Sequence, residues 1–437
     1  MTFILTTIFM LMVFWRPQEW LVPLLYGWPI MDIIVCAAVV SVFLENERGQ
    51  IRLPWRMPQI WLFAGLWVAA VMSHVANFYF KGMTDTIPIV FKFCFFNALL
   101  FCVLDRPSRL RTVTVIYVVM ACVMSVHALM QEHLGFGLAG QQPLWIPSRG
   151  GAPPYSRSLF FGIFHDPNDL AQFLASSLPF AFCFWWRRSF LRFLVSCGVA
   201  GLMIAAILTT HSRGGMVALA VVVGLMGALL FPPRWLPYVL GGVIVGGLGL
   251  CTLAEPYLDT SAYERVVFWG LANRAFKENL FFGIGFNMFW MVARDRAVHN
   301  AFVGCYTTIG LFGYWFWFCL LQLAVIGAWR TRAVMARPAT EEEAWLKRFS
   351  GLSLAAMGGF CASAYFLSRA FVYPMFFLMV MLGSLPVVAK SILPENWPRL
   401  IKPQWDVYVL GTLGTVGSIV YIYSSILLLN RAVGGGF

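Results

Sequence analysis

The sequence predicts an all-α, polytopic membrane bundle of about 12–13 transmembrane helices, with one large outside loop that carries an amphipathic helix. Three observations lead there. Of the 437 residues 60% are hydrophobic and only 11% charged, with mean hydropathy +0.76, a balance foreign to soluble domains. The apolar residues fall into runs bounded by charge or proline, most of them long enough to span a bilayer. Lysine and arginine are shared unequally between alternate loops, as the positive-inside bias requires.

Thirteen such runs can be drawn, at about 2–15, 22–44, 58–78, 87–104, 112–130, 167–186, 190–209, 214–231, 235–254, 299–329, 350–368, 371–390 and 405–429. The first has no basic leader or small-residue cleavage site and reads as a retained span. Pro23 and Pro29 interrupt the second. With the N terminus inside, the inside loops hold 18 of the 31 lysines and arginines and the outside segments 12. The remaining one, Lys92, lies within a span, and Asp32 is the only other charge placed well inside one. Arg213 and Arg369 stand alone in tight outside turns where topology gives no reason for them, and both are placed to meet an anion.

The chain divides into N-terminal transmembrane helices (1–130), an outside loop (131–166), transmembrane helices with the Arg213 turn (167–254), the large outside loop (255–298) and C-terminal transmembrane helices (299–437). The first loop is rich in Gly, Pro and Ser and runs into Asp166-Pro167-Asn168-Asp169. Pro167 suits a first helical turn with Asp166 as its N-cap; the same group also offers carboxylates to a cation. In the second loop Phe268, Leu271, Ala272 and Ala275 alternate with Arg265, Arg274 and Lys277, which predicts a helix from Tyr263 to Asn279 lying along the interface. Phe282-Gly283-Ile284-Gly285-Phe286-Asn287 ends it; no strand precedes these glycines, so they are not a dinucleotide fingerprint. Glu341-Glu342-Glu343 reads as a solvated helix start.

Several classes are excluded. The ten cysteines show no CxxC or Cys/His ligand spacing, so neither a disulfide framework nor a zinc site is indicated. The net charge of +12 is spread over short loops, without the basic tract or aromatic platform of a nucleic-acid partner. No paired acidic motif suggests a metal-held pyrophosphate, and no metal or cofactor is expected.

The strongest candidate residue is His299, where the large outside loop meets the next helix. At 100° per residue, Gly310 falls roughly 20° from it and Gly313 roughly 40° the other way. Both glycines would then underlie the histidine face and admit another helix; an interfacial histidine beside packing glycines is the plainer reading. A second patch is Thr209-Thr210-His211-Ser212-Arg213-Gly214-Gly215-Met216. Ser212 can cap the following helix, Arg213 presents a fork of donors, and Gly214 and Gly215 expose backbone N–H groups, as helix N-termini that hold phosphate do. Arg213 snorkelling to lipid headgroups is the competing view. Topology places His299, Arg213 and Arg265 on one side, where a histidine can serve as general base on a hydroxyl and arginines can stabilise a departing pyrophosphate.

Four patches in order carry a resemblance: Asp166-Pro167-Asn168-Asp169-Leu170-Ala171; Ser212-Arg213-Gly214-Gly215; Arg265-Val266-Val267-Phe268-Trp269 leading to Phe282-Gly283-Ile284-Gly285-Phe286; and His299-Asn300 with nine residues before Gly310-Leu311-Phe312-Gly313. Over roughly 160–330 the chain resembles the O-antigen ligase and O-antigen polymerase superfamily of bacterial membrane glycosyltransferases. It departs from the ligase pattern at Tyr314 and at Met216-Val217. The resemblance implies action at the periplasmic face of the inner membrane on a glycan linked to undecaprenyl pyrophosphate, with no metal or nucleotide. The acceptor would be a lipid A-core sugar, another repeat unit or a protein hydroxyl. It implies that His299 activates the acceptor and that Arg213 and Arg265 meet the pyrophosphate. Ser212 and Gly214 join the donor-binding set, and Asn300, Asp166, Asn168, Asp169 and Arg369 are supporting candidates. Two other classes compete. An anion transporter would carry intramembrane charge and an inverted repeat. An export-system subunit without transferase activity would leave His299 dispensable.

Overall fold

A computed structural model of the chain describes residues 1–25, 27–49, 57–147, 153–185, 189–229, 238, 260–293 and 296–432. The principal helices are α1 (Thr2–Trp15), α2 (Ile30–Glu47), α3 (Pro58–Val75), α4 (Phe80–Val103), α5 (Pro107–Leu134), α6 (Pro167–Ser177), α7 (Phe190–Thr209) and α8 (Arg213–Ala228), followed by α9 (Thr260–Glu278), α10 (Ala301–Val334), α11 (Glu341–Ala364), α12 (Tyr373–Gly383), α13 (Leu385–Ile392) and α14 (Thr412–Ala432). A two-stranded antiparallel hairpin, β1 (Leu144–Ile146) and β2 (Tyr155–Arg157), decorates the 131–166 loop. Among the described residues seven helices are long and apolar enough to cross a membrane, and α1 and α8 are shorter apolar helices. The protein is an all-α, multi-pass membrane protein.

Local chemistry sets many of the ends. Proline occupies the first turn of α3, α5 and α6, where its missing N–H costs nothing. Ser189, Ser212, Asn300 and Thr340 cap α7, α8, α10 and α11 through their side chains. At α11 the cap is reciprocal: the Glu343 N–H donates to Thr340 Oγ1 and the Thr340 hydroxyl to Glu343 Oε1. Glu343 is therefore buried, and only Glu341 and Glu342 form the expected solvated start. Two runs are shorter than expected because of proline. The second begins at Ile30, after Pro29, and the run at 167 leaves α-helix at Leu178, where Pro179 opens a 3-10 turn. The run expected at 235–254 lies outside the described residues. Lys92 and Asp32, the two charges within spans, pair with each other.

The spine of the bundle is α10, which packs on α3, α9, α11, α12 and α14. It is not one helix. Gly310 has φ 66° and ψ −174°, a conformation open essentially to glycine alone, and breaks it in two. In a continuous helix the N–H groups of residues 311 and 312 would donate to the carbonyls of 307 and 308. Here Leu311 and Phe312 donate to the carbonyls of Leu280 and Phe281 at 2.8 and 3.0 Å, and Ile284 and Gly285 donate to those of Thr307 and Thr308, both at 3.0 Å. The chain from 280 to 285 is thus inserted into the helix ladder, and each interrupted bond is replaced by two. Non-helical backbone at membrane depth is tolerable only when satisfied in this way. The C-terminal end of α3 holds the insert from the other side: Asn77 Nδ2 donates to the Gly283 carbonyl at 2.8 Å and the Phe286 N–H to Ser73 Oγ at 2.9 Å. Gly310 does admit a close neighbour, as its small size suggested, but the neighbour is this loop backbone and not a helix. His299 lies before the helix cap with φ 51°, and past the break the 100° rule no longer applies, so neither Gly310 nor Gly313 is placed on a histidine face by helical spacing.

Candidate active site

His299 sits on the last residue before the cap of α10, with backbone φ 51°. Its N–H donates to Ser368 Oγ at 2.5 Å, tying it to the turn between α11 and α12. The next residue, Asn300, is fully buried and accepts from the N–H groups of Phe302 and Val303 at 3.0 and 3.1 Å. Asn300 therefore aims the histidine by fixing where the helix starts.

The amphipathic helix expected from Tyr263 is α9, and it is docked on the bundle. Val266, Trp269, Ala272, Asn273 and Phe276 are buried. Tyr306 donates to Asn273 Oδ1 at 2.5 Å, and Trp269 Nε1 donates to the carbonyl of Val298 at 2.7 Å. That last bond grips the residue before His299. Arg265 lies four residues before Trp269, on the same helical face, and its charge acts on the imidazole.

A second cluster completes this end of the bundle. Asp166 caps α6, accepting from the Asn168 N–H at 2.8 Å and from its side-chain amide at 2.9 Å. Asn168 Oδ1 in turn accepts from the Ser212 hydroxyl at 2.8 Å and from Arg157 at 3.0 Å, and Arg157 also donates to the Thr210 carbonyl at 2.8 Å. The hairpin is stapled in this way onto the turn between α7 and α8. Asp169 is buried and paired with Arg369, at 2.8 Å through Nε and 2.6 Å through Nη2. The two carboxylates of the Asp-Pro-Asn-Asp group are thus committed to a helix cap and to a guanidinium, not turned together toward one cation.

The electrostatics follow from this assembly. Burial pushes the pKa of His299 below the ordinary histidine value of 6.5, and the positive charges of Arg265, Arg369 and Arg296 push it further, against the opposing pull of Asp166. The imidazole is a neutral base at neutral pH, and the positive charge around it is held by guanidinium groups that keep their protons.

The structure thus brings His299, Arg265, Arg369 and Asp166 together. Arg213 is exposed at the start of α8, joined to that group through Ser212, Asn168 and Asp166. Ser212 is buried, its hydroxyl shared between Asn168 and the Gly215 N–H (3.1 Å), so it organises the turn. Gly214 lies beside Phe366 of the α11–α12 turn. Arg157, Arg296 and Ser368 were not singled out by the sequence. Only their place on the outside of the membrane signalled the two arginines, and nothing local signalled Ser368. No protein-family model matches this chain, and no curated protein matches it.

Proposed function

We propose that this protein is a membrane glycosyltransferase that moves a glycan from undecaprenyl pyrophosphate to an acceptor hydroxyl at the periplasmic face of the bacterial inner membrane. The observation that carries this reading is a half-buried histidine kept neutral among three arginines. A base that must accept a proton and cations that must receive a diphosphate belong to the same reaction. The imidazole takes the proton of the acceptor hydroxyl as its oxygen attacks the anomeric carbon. The bond from that carbon to the pyrophosphate oxygen breaks, and the lipid pyrophosphate leaves with the electron pair. Arg265, with Arg213 on the adjoining turn, offsets the charge that develops on it, while Arg369, paired with Asp169, supports the site from beside it. The leaving group needs no protonation at neutral pH, so the site requires a base and no partnering acid.

The test is purified protein in detergent with an undecaprenyl-pyrophosphate oligosaccharide, with and without a lipid A-core acceptor, products resolved by gel and mass. Glycan on lipid A-core alone defines a ligase, and a ladder of repeat lengths without it defines a polymerase; protein hydroxyls are the third acceptor to supply. A folded His299→Ala protein that transfers glycan at the normal rate would refute His299 as the base. No consumption of the donor with any of the three acceptors would refute the transferase reading and favour the alternative, a transporter or export-system subunit without transferase activity.

A further inference from the structure

At the opposite end of the bundle from His299 a cavity of about 630 Å³ opens between α5, α7, the start of α11 and the chain at 181–185. Three arginines line it: Arg111 near the start of α5, Arg192 near the start of α7 and Arg348 on α11. Among the described residues one carboxylate, Glu341, lines it beside these three arginines, an excess of positive charge. The helices show a matching gradient. Both α5 and α7 begin at this end, and seven residues on from Arg111 and Arg192 the cavity wall is made by Val118 and Val199. Along each helix the lining passes from guanidinium to aliphatic over about 10 Å. Leu191 and Val195, on the same wall, are 71% and 59% exposed on the outer face of the bundle. The cavity therefore opens sideways, toward the lipid.

Two further features point to a ligand with phosphate oxygens. The Trp345 indole is 6% exposed and lines the cavity, yet its N–H has no acceptor among the described residues. A buried donor of that kind is costly unless something accepts from it. Over its ring lies the Arg111 guanidinium, 4.8 Å from the centroid, which holds that charge at the cavity wall. Arg348 is anchored on the carbonyl of Trp185.

We propose that this cavity binds one anionic phospholipid, its phosphodiester held by Arg111, Arg192 and the Trp345 N–H and its upper acyl chains lying along Val118, Val195 and Val199. Basic pockets between transmembrane helices recognise acidic headgroups in this way. The site is independent of the transferase reading, and its test does not use activity.

The experiment is native mass spectrometry of the purified full chain, delipidated and then titrated with phosphatidylglycerol, phosphatidylethanolamine or phosphatidylcholine. One phosphatidylglycerol should be retained in preference to the other two. Arg192→Gln, at an exposed helix start where folding is not at stake, should weaken that binding about fivefold. Trp345→Phe keeps the packing and removes the N–H, and should weaken it as well. A millimolar excess of inorganic phosphate should not displace the lipid, because the phosphate lacks the chains. Equal retention of all three lipids, unchanged binding in both variants, or full displacement by phosphate would each overturn the proposal.

Discussion

Replacing Gly310 with alanine tests the break in α10 directly. Its φ of 66° with ψ −174° costs an L-residue about 1–3 kcal/mol. The added methyl would also run into the carbonyl of Phe281 and lie 2.5 Å from the nitrogen of Gly283. The loop must then withdraw, and the bonds from Leu311 and Phe312 to residues 280 and 281 go with it, at about 1 kcal/mol each. The expected loss is therefore about 3–5 kcal/mol, read as the unfolding free energy in mixed micelles, together with new protease sensitivity around 280–286. Gly283→Ala attacks the same contact from the other side, since its methyl would lie 2.5 Å from the Gly310 nitrogen and from the Thr308 carbonyl. The double variant should thus cost clearly less than the sum of the two, because one contact cannot be lost twice. A Gly310→Ala protein within about 0.5 kcal/mol of the parent, with the loop still protected, would refute the inserted-loop account.

Other expectations follow from the site. Under the proposed reaction the rate falls as pH drops through the pKa of His299, because the imidazolium cannot accept a proton; with that pKa below 6.5 the acid limb lies below 6.5. Arg265→Gln removes a charge that lowers the pKa and should move the limb of kcat/KM to higher pH, whereas Asp166→Asn should move it lower; limbs that stay put would show that another group titrates. Asn300→Ala leaves two helix N–H groups without their acceptor and should cost about 1–2 kcal/mol of stability by chemical denaturation. Asp169→Asn breaks a pair whose carboxylate is buried but whose arginine is 41% exposed and can rehydrate, so about 2 kcal/mol is expected from the same assay.

What could be read from the sequence was what local chemistry decides. Most apolar runs of spanning length hold a helix where the structure describes them, and Asp166 and Ser212 cap the helices that follow, because cap and turn residues act within three or four positions of themselves; the cap at Asn300, which puts His299 outside the helix, was not read. The break at Gly310 gave no such sign. The apolar pattern continues through it, and its partner, the 280–285 segment, lies some 25 residues earlier in the chain. The grip of Trp269 on Val298 and of Ser368 on His299 is likewise made between elements that only the fold brings together. Lys92 and Asp32 are visible as charges in the sequence, but their pairing depends on how α2 and α4 lie together.

The interrupted spine also gives physical meaning to an interval that the sequence states only as a count. Asn300 pins one end of the upper piece of α10 and Gly310 the other, leaving Ala301–Ile309 as a rigid ruler of nine residues, about 14 Å long. One residue inserted there would swing His299 by about 100° and lift it by about 1.5 Å, away from Arg265 and Arg369. Substitutions along the ruler leave its length alone, whereas an insertion or deletion resets both the height and the bearing of the base. The interval is thus open to changes of composition and closed to changes of length.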